Sequence, residues 1–195
     1  HYARAAYDIE YEFPFGWQEI EGVHNRTDFD LSRHQEYSGK KLEDFDAATS
    51  ERYIPYVVET SAGADRVTLT VMADAYREEE VEGETRVVLG FNPAVAPIKA
   101  AVLPLTRKDG LPEVADRLYH DIRRRWSAFY DDSGAIGRRY RRQDEVGTPW
   151  CITVDHDTLT GETVTIRERD AMSQVRVAIS QVPAWIADRL EEAGR

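Results

Sequence analysis

The run Ile98 to Leu103 is apolar but for Lys99, and it is followed at once by a turn and a proline-led amphipathic segment. A strand with apolar side chains on both faces has to be covered above and below, which points to a sheet sandwiched between helices. The residues beyond it supply the covers. Pro112 opens a predicted helix with Val114, Leu118 and Ile122 on one stripe. Residues 126 to 130 fit either a continuation of that stripe or a second strand. A further helix is predicted over 135 to 146, with Gly147 at its end and Pro149 as a stop. Strands are expected at 150 to 154, 163 to 167 and 174 to 179, the first two joined by a turn over 157 to 161. Ser180 is placed to cap a last helix whose Trp185, Ile186 and Leu190 face inward. Alternation of this kind predicts a small three-layer α/β domain with a mixed sheet.

The earlier residues read differently. Strands are expected at 9 to 13 and 53 to 59, with a polar, loop-like insert between them over about 25 to 50. After Gly63, the apolar residues Val67, Val71 and Ala75 recur every fourth position with Leu69, Met72 and Tyr76 alongside, predicting a helix suited to packing beneath a sheet. Two prolines, Pro93 and Pro97, come after an acidic turn over 78 to 84. The domain boundary is placed there, giving domains 1–92 and 93–195. Charge divides in the same way: residues 1 to 96 hold 9 Lys/Arg against 20 Asp/Glu, and residues 97 to 195 hold 16 against 16, so the formal net charge of −11 lies in the first part. The overall acidity therefore does not exclude an RNA partner for the second part, where Arg123 to Arg125 and Arg138, Arg139, Arg141 and Arg142 form basic patches. Nothing approaches the roughly 20 apolar residues of a membrane span, and the chain is expected to be cytoplasmic. The single cysteine, Cys151, lies in an apolar run and reads as a buried, inert thiol.

The segment Tyr53-Ile-Pro-Tyr-Val-Val-Glu59-Thr60-Ser61-Ala62-Gly63-Ala64-Asp65-Arg66 carries the chemistry. A strand delivers a carboxylate, a hydroxyl and a glycine to the start of a helix that bears a guanidinium. A carboxylate beside a small hydroxyl can hold an ammonium, and an arginine past a glycine can grip phosphate or cover a nucleobase. Taken alone, the same residues also describe a strand-end Glu, a Ser capping a helix, and Arg66 in a structural ion pair with Asp65 or Glu59. Glu19 and Glu21 share a face if their strand is regular, and could equally be a surface carboxylate pair. His24, Asp28, Asp30 and His34 match no familiar zinc spacing.

This Glu-x-Ser-Ala-Gly-x-Asp-Arg wording resembles motif 3 of the class II aminoacyl-tRNA synthetases, in its glycyl branch. Residues 12 to 34, including Trp17-Gln-Glu19-Ile20-Glu21-Gly22-Val-His24-Asn25-Arg26-Thr-Asp28, are similar to the segment before motif 3 in the bacterial-type homodimeric members. Gly137-Arg-Arg-Tyr140-Arg-Arg-Gln143-Asp144-Glu145-Val-Gly147-Thr-Pro149 looks like the signature of the class IIa anticodon-binding domain. The resemblance implies the C-terminal part of an antiparallel-sheet catalytic domain followed by an α/β anticodon-binding domain. Motifs 1 and 2 have no counterpart ahead of residue 1, so it also implies a C-terminal portion that is inactive alone, dimerising through upstream regions.

By the same resemblance, Glu59, Thr60, Ser61, Ala62 and Gly63 bind glycine. Glu19, Ile20, Gly63, Ala64, Asp65 and Arg66 bind ATP, with Glu19 available to Mg²⁺ and Arg66 and Glu19 taking the catalytic roles. The implied partners are glycine, ATP and the glycine-accepting tRNA; Arg138, Arg139 and Arg142 are candidates to touch the tRNA, although arginine-rich helices are more often solvated and ion-paired. A synthetase-like accessory protein, of the polymerase processivity type, is the rival from another class. The retained Glu19, Glu59, Ser61 and Arg66 argue against it, and the glycyl wording disfavours a threonyl or prolyl relative.

Overall fold

A computed structural model describes residues 3–195. They form two compact units, one ending at Asp74 and the other beginning at Ala75.

In the first unit, strands β1 (Ala5–Phe13), β2 (Gly16–Thr27) and β5 (Val57–Ala62) make an antiparallel sheet with β2 in the centre. The insert expected as a loop carries a helix, α1 (Phe29–Ser38), and a short antiparallel pair, β3 (Asp44–Asp46) and β4 (Glu51–Tyr53). No residue of α1 is buried, so the helix lacks the apolar stripe that periodicity reads. It is held by polar contacts instead, Arg26 pairing with Asp30 in its first turn and Gly39 closing its end at φ 68°. The second expected strand is shifted: residues 54 to 56 lie outside it, and β5 continues through Ala62.

Helix α2 (Ala64–Ala75) forms where the fourfold repeat placed it, yet Val67, Leu69, Val71 and Met72 stay exposed. Phe13 is the one large apolar side chain buried in this unit among the described residues. Helix and sheet therefore do not bury the apolar faces that their patterns provide.

The second unit opens with a hairpin, β6 (Tyr76–Val81) and β7 (Glu84–Leu89), turned at Glu82-Gly83 with both residues at positive φ. The acidic stretch is thus a solvated hairpin. Beyond it lies a five-stranded sheet in the order β12 (Gln174–Ala178), β11 (Thr163–Glu168), β10 (Trp150–Val154), β8 (Ala100–Pro104), β9 (Ala128–Tyr130). β8 runs parallel to both β9 and β10, and the β10–β11–β12 edge is antiparallel. The sheet is mixed, as expected.

Every residue of β8 and β10 is buried. On one face, Ala100, Val102, Trp150, Ile152 and Val154 pack with Leu111, Ala115, Leu118 and Ile122 of α3 (Leu111–Arg123) and with Val182 and Ile186 of α6 (Val182–Ala193). On the other, Ala101, Leu103 and Cys151 meet Ile136 and Tyr140 of α4 (Ile136–Glu145). The continuous apolar strand is covered twice, and residues 128 to 130 resolve as strand. Burial pushes the Cys151 thiol up to about 12, which leaves it protonated and inert.

Two local expectations give way. The segment between β10 and β11 is a short helix, α5 (His156–Gly161), started by a capping box in which Asp155 accepts from the Thr158 amide and the Thr158 hydroxyl accepts from the Asp155 amide. Ser180 caps nothing; it sits inside a 3-10 turn, Ile179–Gln181, that leads into α6.

The hairpin is fastened to this unit by buried charge. Arg86 and Asp144 are fully buried, and Arg86 Nε donates to Asp144 at 2.9 Å while Arg167 grips the same carboxylate at 2.9 and 3.1 Å. Arg169 donates to the carbonyls of Gly147 and Phe91 at 2.8 and 2.7 Å. Gly147, at φ 80°, is required twice over: a Cβ there would lie 2.3 Å from the Phe91 ring and 2.8 Å from the Leu89 carbonyl. These ties explain why the compact unit starts ahead of the boundary read at 92/93.

Removing the shared carboxylate takes the ion-pair partner from buried Arg167 and leaves buried Arg86 paired with Glu79 alone among the described residues, at 2.6 Å. Asp144→Ala is expected to cost about 3–5 kcal/mol of unfolding free energy in urea; a loss under about 1 kcal/mol contradicts this role.

Candidate functional site

The geometry of the first unit stems from two irregularities in β2. Ile9 pairs with Glu21 but Glu10 pairs with Glu19, so Ile20 is an extra residue, a β-bulge. Neighbours on β1 point to opposite faces, and their direct partners go with them. Glu19 and Glu21 therefore lie on opposite faces, which corrects the shared face expected of a regular strand.

Against β5, Gly22 faces Ser61 and His24 faces Glu59. The parity carries through: Glu19, Gly22, His24, Glu59 and Ser61 occupy one face, and Glu21, Val23, Thr60 and Ala62 the other. The bulge at Ile20 is what brings Glu19 to the side of Glu59 and Ser61. Tyr11, on the opposite face, donates to Asp74 near the end of α2 at 3.4 Å, so that end of the helix lies behind the sheet.

The second irregularity lies between Asn25 and Thr27, where Arg26 is the extra residue. Its Nη1 donates to Glu59 Oε2 at 2.9 Å, while Nη2 donates to Asp30 Oδ1 at 2.7 Å and Nε also reaches Asp30. One guanidinium thus ties β5 to the first turn of α1 and fixes one oxygen of Glu59. The Asp30 carboxyl is held below its ordinary value, chiefly by that hydrogen bond from Arg26 against an opposing push from desolvation.

Arg66 is tied to the backbone and not to a carboxylate. It forms no ion pair with Asp65 or Glu59; Nη1 donates to the Glu19 carbonyl at 2.6 Å. The β2–β5 ladder ends at Glu21 and Ala62, so Glu19 lies past the last paired residue and Arg66 closes the opening. Gly63 and Ala64 make the turn beneath it, and Asp65 enters the first turn of α2. A Cβ on Gly63 would meet the Arg66 side chain at ordinary contact distance, 3.7 Å, so steric exclusion does not demand that glycine. Gly22 is different, since a Cβ there would lie 2.7 Å from His24 Cε1.

Sequence reasoning misses Arg26, Gly22 and His24 as site residues. The signal that finds them is the strand pairing, which sequence spacing alone does not contain. The arrangement offers an exposed Glu19 carboxylate, a half-exposed Glu59 with one oxygen already engaged, a hydroxyl, and a guanidinium anchored by one edge. Carboxylates with a hydroxyl suit an ammonium, and an anchored guanidinium suits phosphate or the face of a base.

The arginines singled out in the second unit divide. Arg138 is exposed. Arg142 pairs with Asp131 at 2.5 Å and donates to the Ser133 carbonyl at 2.7 Å. Arg139 is withdrawn from any RNA-contacting role: it is 2 % exposed, and donates to the carbonyls of Pro104, Leu105 and Asp131 at the ends of β8 and β9. The helix buries Arg139 because that side is the one facing the sheet ends, a distinction the run of four arginines conceals.

Residues 99–189 match the family model described as anticodon binding domain. Over 190 residues, 97% of the chain, it is 56% identical to the glycine–tRNA ligase of Chlorobaculum tepidum, of which it covers 40%. The ligase of Caldanaerobacter subterraneus subsp. tengcongensis is 53% identical over 98% of the chain and 41% of its own length. That of Treponema denticola is 51% identical over 100% and 45%. The chain thus spans less than half the length of these relatives.

Arg26→Gln is expected to release Asp30, whose titration followed by NMR then moves up toward the ordinary aspartate value of about 3.9. Because the folded value is depressed, stability from this pair is present above the ordinary aspartate range and is lost as pH falls through the lowered midpoint. An unchanged Asp30 midpoint contradicts the assignment.

Proposed function

Since the chain carries an anticodon binding domain and is homologous along nearly its whole length to glycine–tRNA ligases, we propose that it supplies the motif 3 part of such an enzyme's catalytic domain together with its anticodon-binding domain. The observation that carries this reading is the register that gathers Glu19, Glu59 and Ser61 on one face beside Arg66. The apolar side chains left uncovered on α2 and the small sheet also support it, because they suit a unit embedded in a larger catalytic domain.

The proposed reaction has two stages. Glycine's carboxylate attacks the α-phosphate of ATP, giving glycyl-adenylate and pyrophosphate; the terminal ribose hydroxyl of the tRNA then takes the glycyl group. Glycine has no side chain to recognise, so selection rests on holding its ammonium and leaving no room beyond the α-carbon. Glu59 and Ser61 hold the ammonium, with Arg26 keeping one Glu59 oxygen in place so that the other is presented. Thr60, Ala62 and Gly63 are the backbone of that wall, and buried Gly22 opposite Ser61 keeps the floor low.

Arg66 meets ATP, its position fixed by the Glu19 carbonyl, and neutralises charge that develops on phosphate. Ile20, Ala64 and Asp65 complete the nucleotide edge. Glu19 fits Mg²⁺: the ion is a hard cation content with one or two carboxylates plus phosphate oxygens, and Glu19 is an exposed carboxylate on the substrate-side face. When bound, the ion screens the phosphates. Arg138 and Arg142 are the members of the arginine cluster that remain for tRNA. The whole protein is proposed to be a cytoplasmic homodimer. An accessory protein without catalysis is the weaker reading, because it needs none of these ligands.

Glycine-dependent ATP–pyrophosphate exchange in a protein of the relatives' full length tests this. Exchange is expected with glycine and not alanine, and Glu59→Ala and Arg66→Ala should each lower kcat/KM by about 100-fold or more. Exchange driven by another amino acid, or variants within threefold of the parent, would defeat the reading.

A further inference from the structure

Across the β2–β5 ladder, Gly22 faces Ser61 and His24 faces Glu59, all on the Glu59 side of the sheet. Gly22 is buried, although its partner Ser61 is exposed. The cover on this face is the half-buried imidazole two residues on: a Cβ on Gly22 would lie 2.7 Å from His24 Cε1 and 3.5 and 3.6 Å from its Nδ1 and Nε2. The ring therefore leans along β2, away from its own cross-strand partner, with its Cε1 edge where a side chain of residue 22 would begin. Directly opposed Cβ positions in an antiparallel pair are about 4.5–5.5 Å apart, so the ring edge stands about that far from the Ser61 side chain.

We propose that the His24 ring makes this site selective for glycine, by filling the room beside Ser61 that the side chain of a larger amino acid would need. The inference rests on the glycine-binding role proposed above and assigns its selectivity to one residue. Glu59 and Ser61 cannot supply that selection, because every amino acid presents them with the same ammonium. The α-carbon is one bond from that ammonium, so a side chain branches close to the two groups that hold it. On the β2 side of them the space is already taken. The ring rests edge-on against Gly22 and cannot yield toward the sheet, so it excludes by volume.

The contacts of His24 supply no competing structural role. Among the described residues it has no hydrogen bond and no ion pair, not even with Glu59, one oxygen of which is engaged by Arg26. Gly22 is constrained in turn, since any side chain there would displace the ring.

The test is ATP–pyrophosphate exchange in a protein of the relatives' full length, with kcat/KM measured for glycine and for L-alanine. His24→Ala is expected to raise the alanine-to-glycine ratio of kcat/KM about tenfold or more, the usual weight of one methyl group against a fitted wall. Gain of exchange with alanine is a result that a folding defect cannot produce. His24→Phe, which keeps a ring there, should hold the ratio near that of the parent. Adding Gly22→Ala to His24→Ala should bring the ratio back down, because the new Cβ occupies the vacated room. If the parent selects glycine but His24→Ala leaves the ratio within about twofold, the wall is wrong while the glycine reading stands. If the parent shows no glycine-dependent exchange, both are wrong.

Discussion

The proposed ligand-binding face of the first unit depends on one extra residue in a strand. Without the bulge at Ile20, period-two alternation would carry Glu19 to the side of Glu21, away from Glu59 and Ser61. On the other side of β2 the ladder with β5 stops at Glu21 and Ala62, and past its end the Arg66 guanidinium takes the Glu19 carbonyl. The same arginine is the one proposed to meet the nucleotide. A second bulge at Arg26 repeats the principle, turning a strand residue into the clamp on Glu59 and Asp30. Both devices position charged groups that propensity alone would scatter.

The second unit solves a different problem. Its core is a sheet covered on both sides, and that much is apolar packing. The specific attachment is polar: Asp144 shared by Arg86 and Arg167, with Arg169 on two backbone carbonyls. Burying these charges is tolerable because each is paired and hydrogen-bonded. A signature stretch whose arginines read either as a solvated helix or as an RNA-facing patch thus spends Arg139, Gln143, Asp144, Gly147 and Thr148 on holding the fold together, leaving Arg138 and Arg142 outward.

Much of the second unit is legible in the sequence because burial and periodicity coincide there. Residues 98 to 103, the α3 stripe and the run at 150 to 154 each fill a position in a covered sheet, so their hydrophobic pattern is the fold. Where local hydrogen bonds decide, pattern is silent: the Asp155–Thr158 capping box makes a helix of a segment that reads as a turn. In the first unit α1 is invisible to periodicity because it buries nothing. The motif residues Glu59, Ser61, Gly63 and Arg66 are readable as a cluster since they lie within one short segment. Gly22, His24 and Arg26 join them only through strand register, and register between such distant segments is a tertiary fact.

The central claim is that ligands are received on the Glu59 face of the sheet, the face to which the Ile20 bulge delivers Glu19. A crystal structure of the full-length protein with a non-hydrolysable glycyl-adenylate analogue addresses it directly. The account predicts the analogue's ammonium about 3 Å from the Glu59 carboxylate and Ser61 Oγ, with its nucleotide against Arg66. An analogue seated on the other face, against Thr60 and Glu21, would contradict it.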